Sequence, residues 1–287
     1  MSRNKNRVGA QQPDTTPPVP AITNNAAAVA PAFSFVVPTE FIELPSGGKY
    51  YGEGHPLCGE TTIEIKQMTA KEEDLLTSRT LLKKGIALDR VIQSLIIDKS
   101  IDPDSLVVGD RNAIIVATRV SGYGNIYTTK IGCPGCGETQ DYSFDLNDAN
   151  MYYGDDLLDW DVSPQSDGTF ETKLPRTGVT VTFRLLTGRD EKRLLQAMEN
   201  DRKRKSDEHN ISRQLVSMVT AVNGDSSSEA INYLVSNIPS MDSRHLRNAY
   251  KSAAPNIDLT QHFECSECDH TQPMEVPLAA EFFWPDR

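Results

Sequence analysis

The chain has 287 residues, enough for one large domain or two small ones with a core of their own. Hydrophobic residues make up 38% and mean hydropathy is −0.43. No apolar run approaches the roughly 20 residues that cross a bilayer, and residues 1–20 lack the apolar centre of a secretory signal, so we expect a soluble cytosolic protein with no membrane partner and reduced cysteines. A net charge of −11 with a pI near 5.0 argues against a grip on nucleic-acid phosphates.

Residues 1–33 are rich in Pro, Ala, Thr, Asn and Gln and show no periodicity. Too few apolar groups are present to offset the entropy of ordering, so this segment reads as a disordered N-terminal arm, or as a tether that folds on a partner. An α+β repeat is expected over 34–146, a linker over 147–170 and a second α+β repeat over 171–287.

In the first repeat, Leu44-Pro45-Ser46-Gly47 leads into Gly47-Gly48-Lys49, which reads as a tight turn, and Thr62-Ile63-Glu64-Ile65 reads as a strand. Thr69-Ala70-Lys71-Glu72 has the form of a capping box at a helix start. A second helix places Leu88, Val91, Ile92, Leu95 and Ile96 on one face, and a third opens with Asp110 as N-cap. The repeat ends in Cys133-Pro134-Gly135-Cys136-Gly137. The linker is acidic at Asp155, Asp156, Asp159 and Asp161. It also holds Tyr152, Tyr153, Leu157, Leu158 and Trp160, which should make it pack down.

The second repeat passes through matching stations: Leu174-Pro175-Arg176-Thr177-Gly178, then a strand with Val179, Val181, Phe183 and Leu185 on one face, then Thr187-Gly188-Arg189-Asp190 at a helix start. Ile211, Leu215, Met218, Val219 and Val222 form the next helical face. An additional amphipathic stretch follows over 228–238, where the first repeat has only Asp102-Pro103-Asp104, and Asp242 opens the third helix. Conversely, the loop 47–59 has no counterpart in the second repeat. The basic run Arg202-Lys203-Arg204-Lys205 is read as a solvated helix end that complements the helix dipole; contact with an anion or a nucleic acid is the rival reading.

The repeat is most legible around the cysteines. Cys133 to Cys265 is 132 residues, as is Cys136 to Cys268. The same offset carries Asp110 onto Asp242, Ala117 onto Ala249, Thr128 onto Thr260, Thr139-Gln140 onto Thr271-Gln272, and Leu146 onto Leu278, without a gap. The expected fold is therefore α+β and internally duplicated, each half running strand, helices, Cys-x-x-Cys β-hairpin. If the halves pack about a pseudo-two-fold axis, the two hairpins meet as one zinc-ribbon-like site.

Cys133, Cys136, Cys265 and Cys268 would then hold a structural Zn²⁺, since two such pairs complete a four-thiolate tetrahedron. Gly137 can supply the positive φ such a turn needs after its second cysteine. Asp269 must do the same in the second hairpin. A redox dithiol and free or disulfide-bonded cysteines are rival readings. The redox reading expects a pair at a helix start, whereas polar, β-prone residues flank both pairs here. His262 and His270 are nearby but read as surface residues, and Cys58 as a lone loop thiol. A closed thiolate shell leaves no position for water, so such a metal would not be catalytic. No phosphate-binding, dinucleotide, zinc-protease or nucleophile-elbow motif occurs, and His55, His209 and His245 are scattered without local partners.

The run Phe41-Ile42-Glu43-Leu44-Pro45-Ser46-Gly47-Gly48-Lys49-Tyr50-Tyr51, followed by Thr61-Thr62-Ile63-Glu64-Ile65-Lys66-Gln67-Met68-Thr69-Ala70-Lys71-Glu72-Glu73, resembles the T-even-like phage baseplate proteins. The likeness extends over roughly 34–287 and is clearest over 38–146. It implies a non-enzymatic structural component of a contractile-tail baseplate hub, or a factor that helps assemble that hub, acting in the host cytoplasm during assembly and, if retained, in the virion tail. It would bind other hub or tail proteins, the tape-measure end among them, and no nucleic acid. The second half departs from the pattern, with Arg176 and Thr177 and no Tyr pair. A zinc-ribbon adaptor for nucleic acid and a thiol oxidoreductase are the alternatives.

Overall fold

Alternation of apolar residues sets the first sheet. Strands β1 (Thr39–Glu43) and β2 (Thr62–Lys66) pair antiparallel with Ile42 opposite Ile63, and Ile42, Ile63 and Ile65 turn inward. The computed structural model describes residues 36–83, 85–204, 207, 209–276 and 280–283; the arm expected over 1–33 lies outside them.

Helices α1 (Ala70–Thr77), α2 (Arg79–Lys83) and α3 (Ala87–Leu95) follow β2. At the start of α1 the Thr69 N–H and hydroxyl both donate to Glu72 Oε2 at 3.0 and 2.5 Å, so the acid caps the helix start as that tetrapeptide leads one to expect. Helix α3 buries Val91, Ile92 and Leu95, and the chain returns to β2 through an Ile96–Ile65 bridge. Helix α4 (Val108–Tyr123) then leads into the hairpin β3 (Ile126–Gly132)–β4 (Thr139–Asp145).

The stretch 147–170 is structured. It supplies β5 (Asn150–Tyr152) and β6 (Val162–Pro164) and reaches β7 (Phe170–Lys173). Strands β6, β7, β8 (Thr180–Phe183) and β9 (Val219–Val222) form a four-stranded sheet in that order. Val181 and Phe183 are fully buried. Helix α5 (Gly188–Arg204) starts as α1 does: Thr187 N–H and hydroxyl donate to Asp190 Oδ2 at 3.0 and 2.9 Å. Helices α6 (Asn210–Met218), α7 (Ser228–Asn237) and α8 (Ser240–Ala253) follow, then β10 (Asn256–Asp258) and the hairpin β11 (Thr260–Glu264)–β12 (Thr271–Glu275). Arg202, Lys203 and Arg204 close α5 as exposed cations at its negative end.

Two expectations are corrected. Val219 and Val222 lie in β9 and not on the α6 face, because the exposed edge of β8 requires a hydrogen-bonding partner, and a β-branched run following Met218 provides one. Asp110 and Asp242 do not cap their helices. Val107 and Pro239 occupy the caps, and each aspartate sits at the third helical position, turned toward an incoming turn.

The described residues from 37 onward form one compact unit. Strand β5 pairs antiparallel with β10. Helix α4 approaches β10 so closely that a Cβ at Gly109 would come within 1.9 Å of the Pro255 carbonyl oxygen, which explains glycine there. Tyr50, Phe170, Phe183 and Tyr250 form a chain of ring contacts with centroids 5.4, 5.5 and 6.3 Å apart. Arg111 bridges Asp89 and Glu191 across the same junction. Fully buried Arg119 donates to the carbonyls of Phe282 and Ile126 at 2.6 and 2.9 Å, fixing the end of α4 and the segment at 280–283. Among the described residues no helix is long and apolar enough to cross a membrane.

The two helix-start acids set an acid limb. Burial would raise the Glu72 carboxyl, but the Lys66 ammonium at 2.7 Å and the Ser94 and Thr69 hydroxyls hold it down to about 2, against an ordinary 4.5. Asp190, similarly buried, is lowered by the two-pronged Arg184 pair at 2.7 and 2.9 Å. A carboxylate depressed on folding contributes stability above its unfolded pKa, and that contribution is lost as pH falls through its folded pKa. Unfolding free energy is thus expected to decline between about pH 5 and pH 2. In Glu72→Gln, denaturant titrations across that window should show a visibly shallower decline.

Candidate metal centre

Each Cys-x-x-Cys pair occupies the turn of a β-hairpin. In the first, Cys133 N–H donates to the Glu138 carbonyl at 2.8 Å and Gly137 N–H to the Cys133 carbonyl at 2.8 Å. In the second, Cys265 N–H donates to His270 and Asp269 N–H to Cys265, at 2.9 and 3.2 Å. Gly137 takes φ +80° and Asp269 φ +54°, so both stations adopt the left-handed conformation that the turn requires.

The hairpins stand against one another with their sulfurs crossed. Cys133 Sγ is 3.7 Å from Cys268 Sγ, and Cys136 Sγ is 3.8 Å from Cys265 Sγ. All four sulfurs lie within 4.8 Å of one another. Thiolates bound about 2.3 Å from a tetrahedral ion stand about 3.8 Å apart, whereas a disulfide is about 2.05 Å long. The arrangement could therefore hold a metal ion. Cys133 and Cys265 are buried, and Cys136 and Cys268 lie at the exposed tips.

Electrostatics favours a cation at the centre. The amide N–H of Cys136, then that of Gly135 at 3.3 Å, pull the Cys133 thiol down to about 6. The His270 amide favours the Cys268 thiolate too, yet burial and the three neighbouring sulfurs push this thiol up to about 12. Four thiolates this close repel, and a soft divalent ion removes the conflict.

Protein contacts align the hairpins independently of any ion. Gln140 Oε1 accepts from the N–H and hydroxyl of Ser266 at 3.0 and 2.9 Å, its Nε2 donates to the Glu264 carbonyl, and Tyr142 donates to the His262 carbonyl at 2.8 Å. The Tyr142 and Phe263 rings lie 5.0 Å apart. Ser266 stands where the first hairpin has Pro134, which has no N–H, so Gln272 lacks the donor that Gln140 uses. His262 is exposed, and the His270 ring lies over Gly135 with Nε2 3.4 Å from Gln272; neither joins the sulfur cluster. Cys58 is an exposed free thiol.

Two of the histidines expected to lack partners have them: His245 Nε2 lies 3.2 Å from Thr172 Oγ1 with its ring edge-on to Trp160, and His55 is held at both ring nitrogens. His55 Nε2 lies 2.8 Å from Ser105 Oγ, and its Nδ1 accepts from Leu57 N–H at 3.1 Å. That acceptor role puts the ring proton on Nε2, so His55 donates to Ser105 and cannot take its proton. Burial lowers its pKa, and the ring stacks on Tyr51 at 4.5 Å. It clamps the loop 47–59 to the turn at 102–105. The sequence held no signal for this pairing, because the two partners are 50 residues apart.

Among proteins of known family, residues 37–162 match the family described as T4 bacteriophage base plate protein. The matched stretch contains Cys133 and Cys136. No curated protein and no solved structure matches the chain.

Proposed function

We propose that this chain, which matches the T4 bacteriophage base plate protein family over residues 37–162, is a structural or assembly component of the contractile-tail baseplate hub, acting by protein–protein contact and carrying one structural Zn²⁺. The family match carries this reading. Cys133, Cys136, Cys265 and Cys268 are the proposed ligands, in a zinc-ribbon-like site made from two separate hairpins. The S₄ donor set and its spacing favour zinc, and a closed shell assigns the ion a role in folding, not in catalysis.

The same reading takes the chain to be an internal duplication in two α+β repeats, 34–146 and 171–287. Support comes from paired details: Thr69–Glu72 with Thr187–Asp190, Lys66 with Arg184, Asp110 with Asp242, and Gly137 with Asp269. Partners are other hub or tail proteins, including the tape-measure end, met in the host cytoplasm during assembly and, if the chain is retained, in the virion tail. A thiol oxidoreductase is less well supported, since Cys133, whose thiol is drawn down, is only 2% exposed and faces the other pair.

Mass spectrometry of purified particles and of tail-assembly intermediates tests the assignment. The chain should be found in tails, or in hub intermediates if it acts only during assembly. Its absence from both would overturn the reading.

A further inference from the structure

Although the chain carries a net charge of −11, one hollow of about 560 Å³ is lined by Lys66, Lys71, Arg90 and Lys99, with Leu75 and Ile97 on its wall and no carboxylate. Lys66 is engaged by Glu72. Arg90 donates to Gln93 Oε1 at 3.1 Å, and Lys99 to the carbonyls of Gln93 and Ser94 at 3.0 and 3.2 Å. These partners are neutral. Among the described residues no carboxylate forms an ion pair with Lys71, Arg90 or Lys99. Ile97 is 42% exposed, so the hollow offers an apolar wall beside three cations that lack a counter-charge.

The same chain presents the complementary shape. Asp155, Asp156, Asp159 and Asp161 are all exposed and surround Leu158, which is 95% exposed at the start of a short 3₁₀ turn, Leu158–Trp160. The turn is fixed from beneath. Val162 N–H donates to the Leu157 carbonyl at 3.1 Å, Thr172 hydroxyl donates to the Trp160 carbonyl at 3.0 Å, and Trp160 packs edge-on against His245. A leucine held this far out of the core, ringed by aspartates, suits a partner surface that is apolar at its centre and basic at its rim.

We propose that the hollow receives the acidic turn at 155–161 of a second copy of this chain, with Leu158 against Leu75 and Ile97 and the aspartates facing Lys71, Arg90 and Lys99. Because the two surfaces differ, the contact is head-to-tail. Every open assembly then leaves one hollow free at one end and one turn free at the other, so association continues until a ring closes. One turn in one hollow is a small interface, so the association is weak and sensitive to salt. The inference stands on the two surfaces and does not depend on the baseplate reading.

Sedimentation velocity on the full chain over a concentration series tests it. The wild type should grow beyond a monomer as concentration rises at low salt, and less so at high salt. Lys71→Glu with Arg90→Glu, and separately Asp156→Lys with Asp159→Lys, should each weaken association at least tenfold while leaving the melting transition in place. Lys66 and Lys99 are left intact because both also serve the fold. An equimolar mixture of the two charge-reversed proteins should associate again, since each then meets its complement. A wild type that stays monomeric throughout, association unmoved by either reversal, or a mixture that fails to associate would overturn the proposal. So would wild-type association that occurs only with another protein's acidic segment.

Discussion

Removing the zinc proposed for the four thiolates, or opening the shell with Cys133→Ser or Cys265→Ser, is expected to cost about 3–5 kcal/mol and lower the melting temperature by about 6–15 °C. The two buried sulfurs occupy equivalent, crossed positions, so the two substitutions should cost alike. Elemental analysis should find about one zinc per wild-type chain and almost none in either variant. The loss should be local and should leave the rest folded. A small zinc finger owes its whole fold to the ion, whereas here Gln140–Ser266, Tyr142–His262 and the Tyr142–Phe263 contact hold the hairpins together, and they join a single buried core most of which lies outside them. Hydrogen exchange should therefore speed up in 126–145 and 260–275 first. Metal-replete protein with no zinc, or one serine variant that is harmless while the other unfolds the chain, would sink the four-thiolate site.

The sequence was most informative where chemistry forces a rare residue into a rare conformation. The 132-residue offset placed two cysteine pairs and, after each, a residue able to take positive φ; Gly137 and Asp269 both adopt it. The helix starts at Thr69 and Thr187 were equally legible, because hydroxyl and acid three residues apart have a local geometry. Strands were harder to read. β5, β6 and β10 have three residues each, too short for any period; β5 and β10 exist because they pair with one another across distant sequence, and β6 because β7 folds back on it. Val219 and Val222 fit a helical face and a strand equally well, and only the edge of β8 decides between them. Arg119 showed only as one cation in the run from Ile114 to Val120. Its partners are backbone carbonyls, which carry no residue signature.

Asp110→Ala is expected to destabilise the protein by about 3–4 kcal/mol. The carboxylate is fully buried with no cation beside it, and burial raises its pKa. Its contribution is therefore not charge pairing. It accepts the Ser46 N–H at 2.9 Å, the Ser46 hydroxyl at 2.6 Å and the Tyr51 hydroxyl at 2.6 Å, fastening the Leu44–Gly47 turn and the loop behind it to the first turn of α4. Alanine would strand three buried donors at once. Asparagine keeps one acceptor and has no charge to desolvate, so Asp110→Asn should cost about 1–2 kcal/mol. Asp242 repeats the arrangement with Arg176 N–H at 2.8 Å, Thr177 N–H at 3.0 Å and the Thr177 hydroxyl at 2.8 Å. Pro175, Arg176 and Thr177 are exposed, whereas Pro45 and Ser46 are buried beneath the loop that carries Tyr51. Water can reach the donors that Asp242→Ala releases, so that variant should lose only about 2 kcal/mol. Urea titrations of the three variants rank these costs. An Asp242→Ala loss as large as that of Asp110→Ala would mean that solvent access to the freed donors does not set the difference between the two halves.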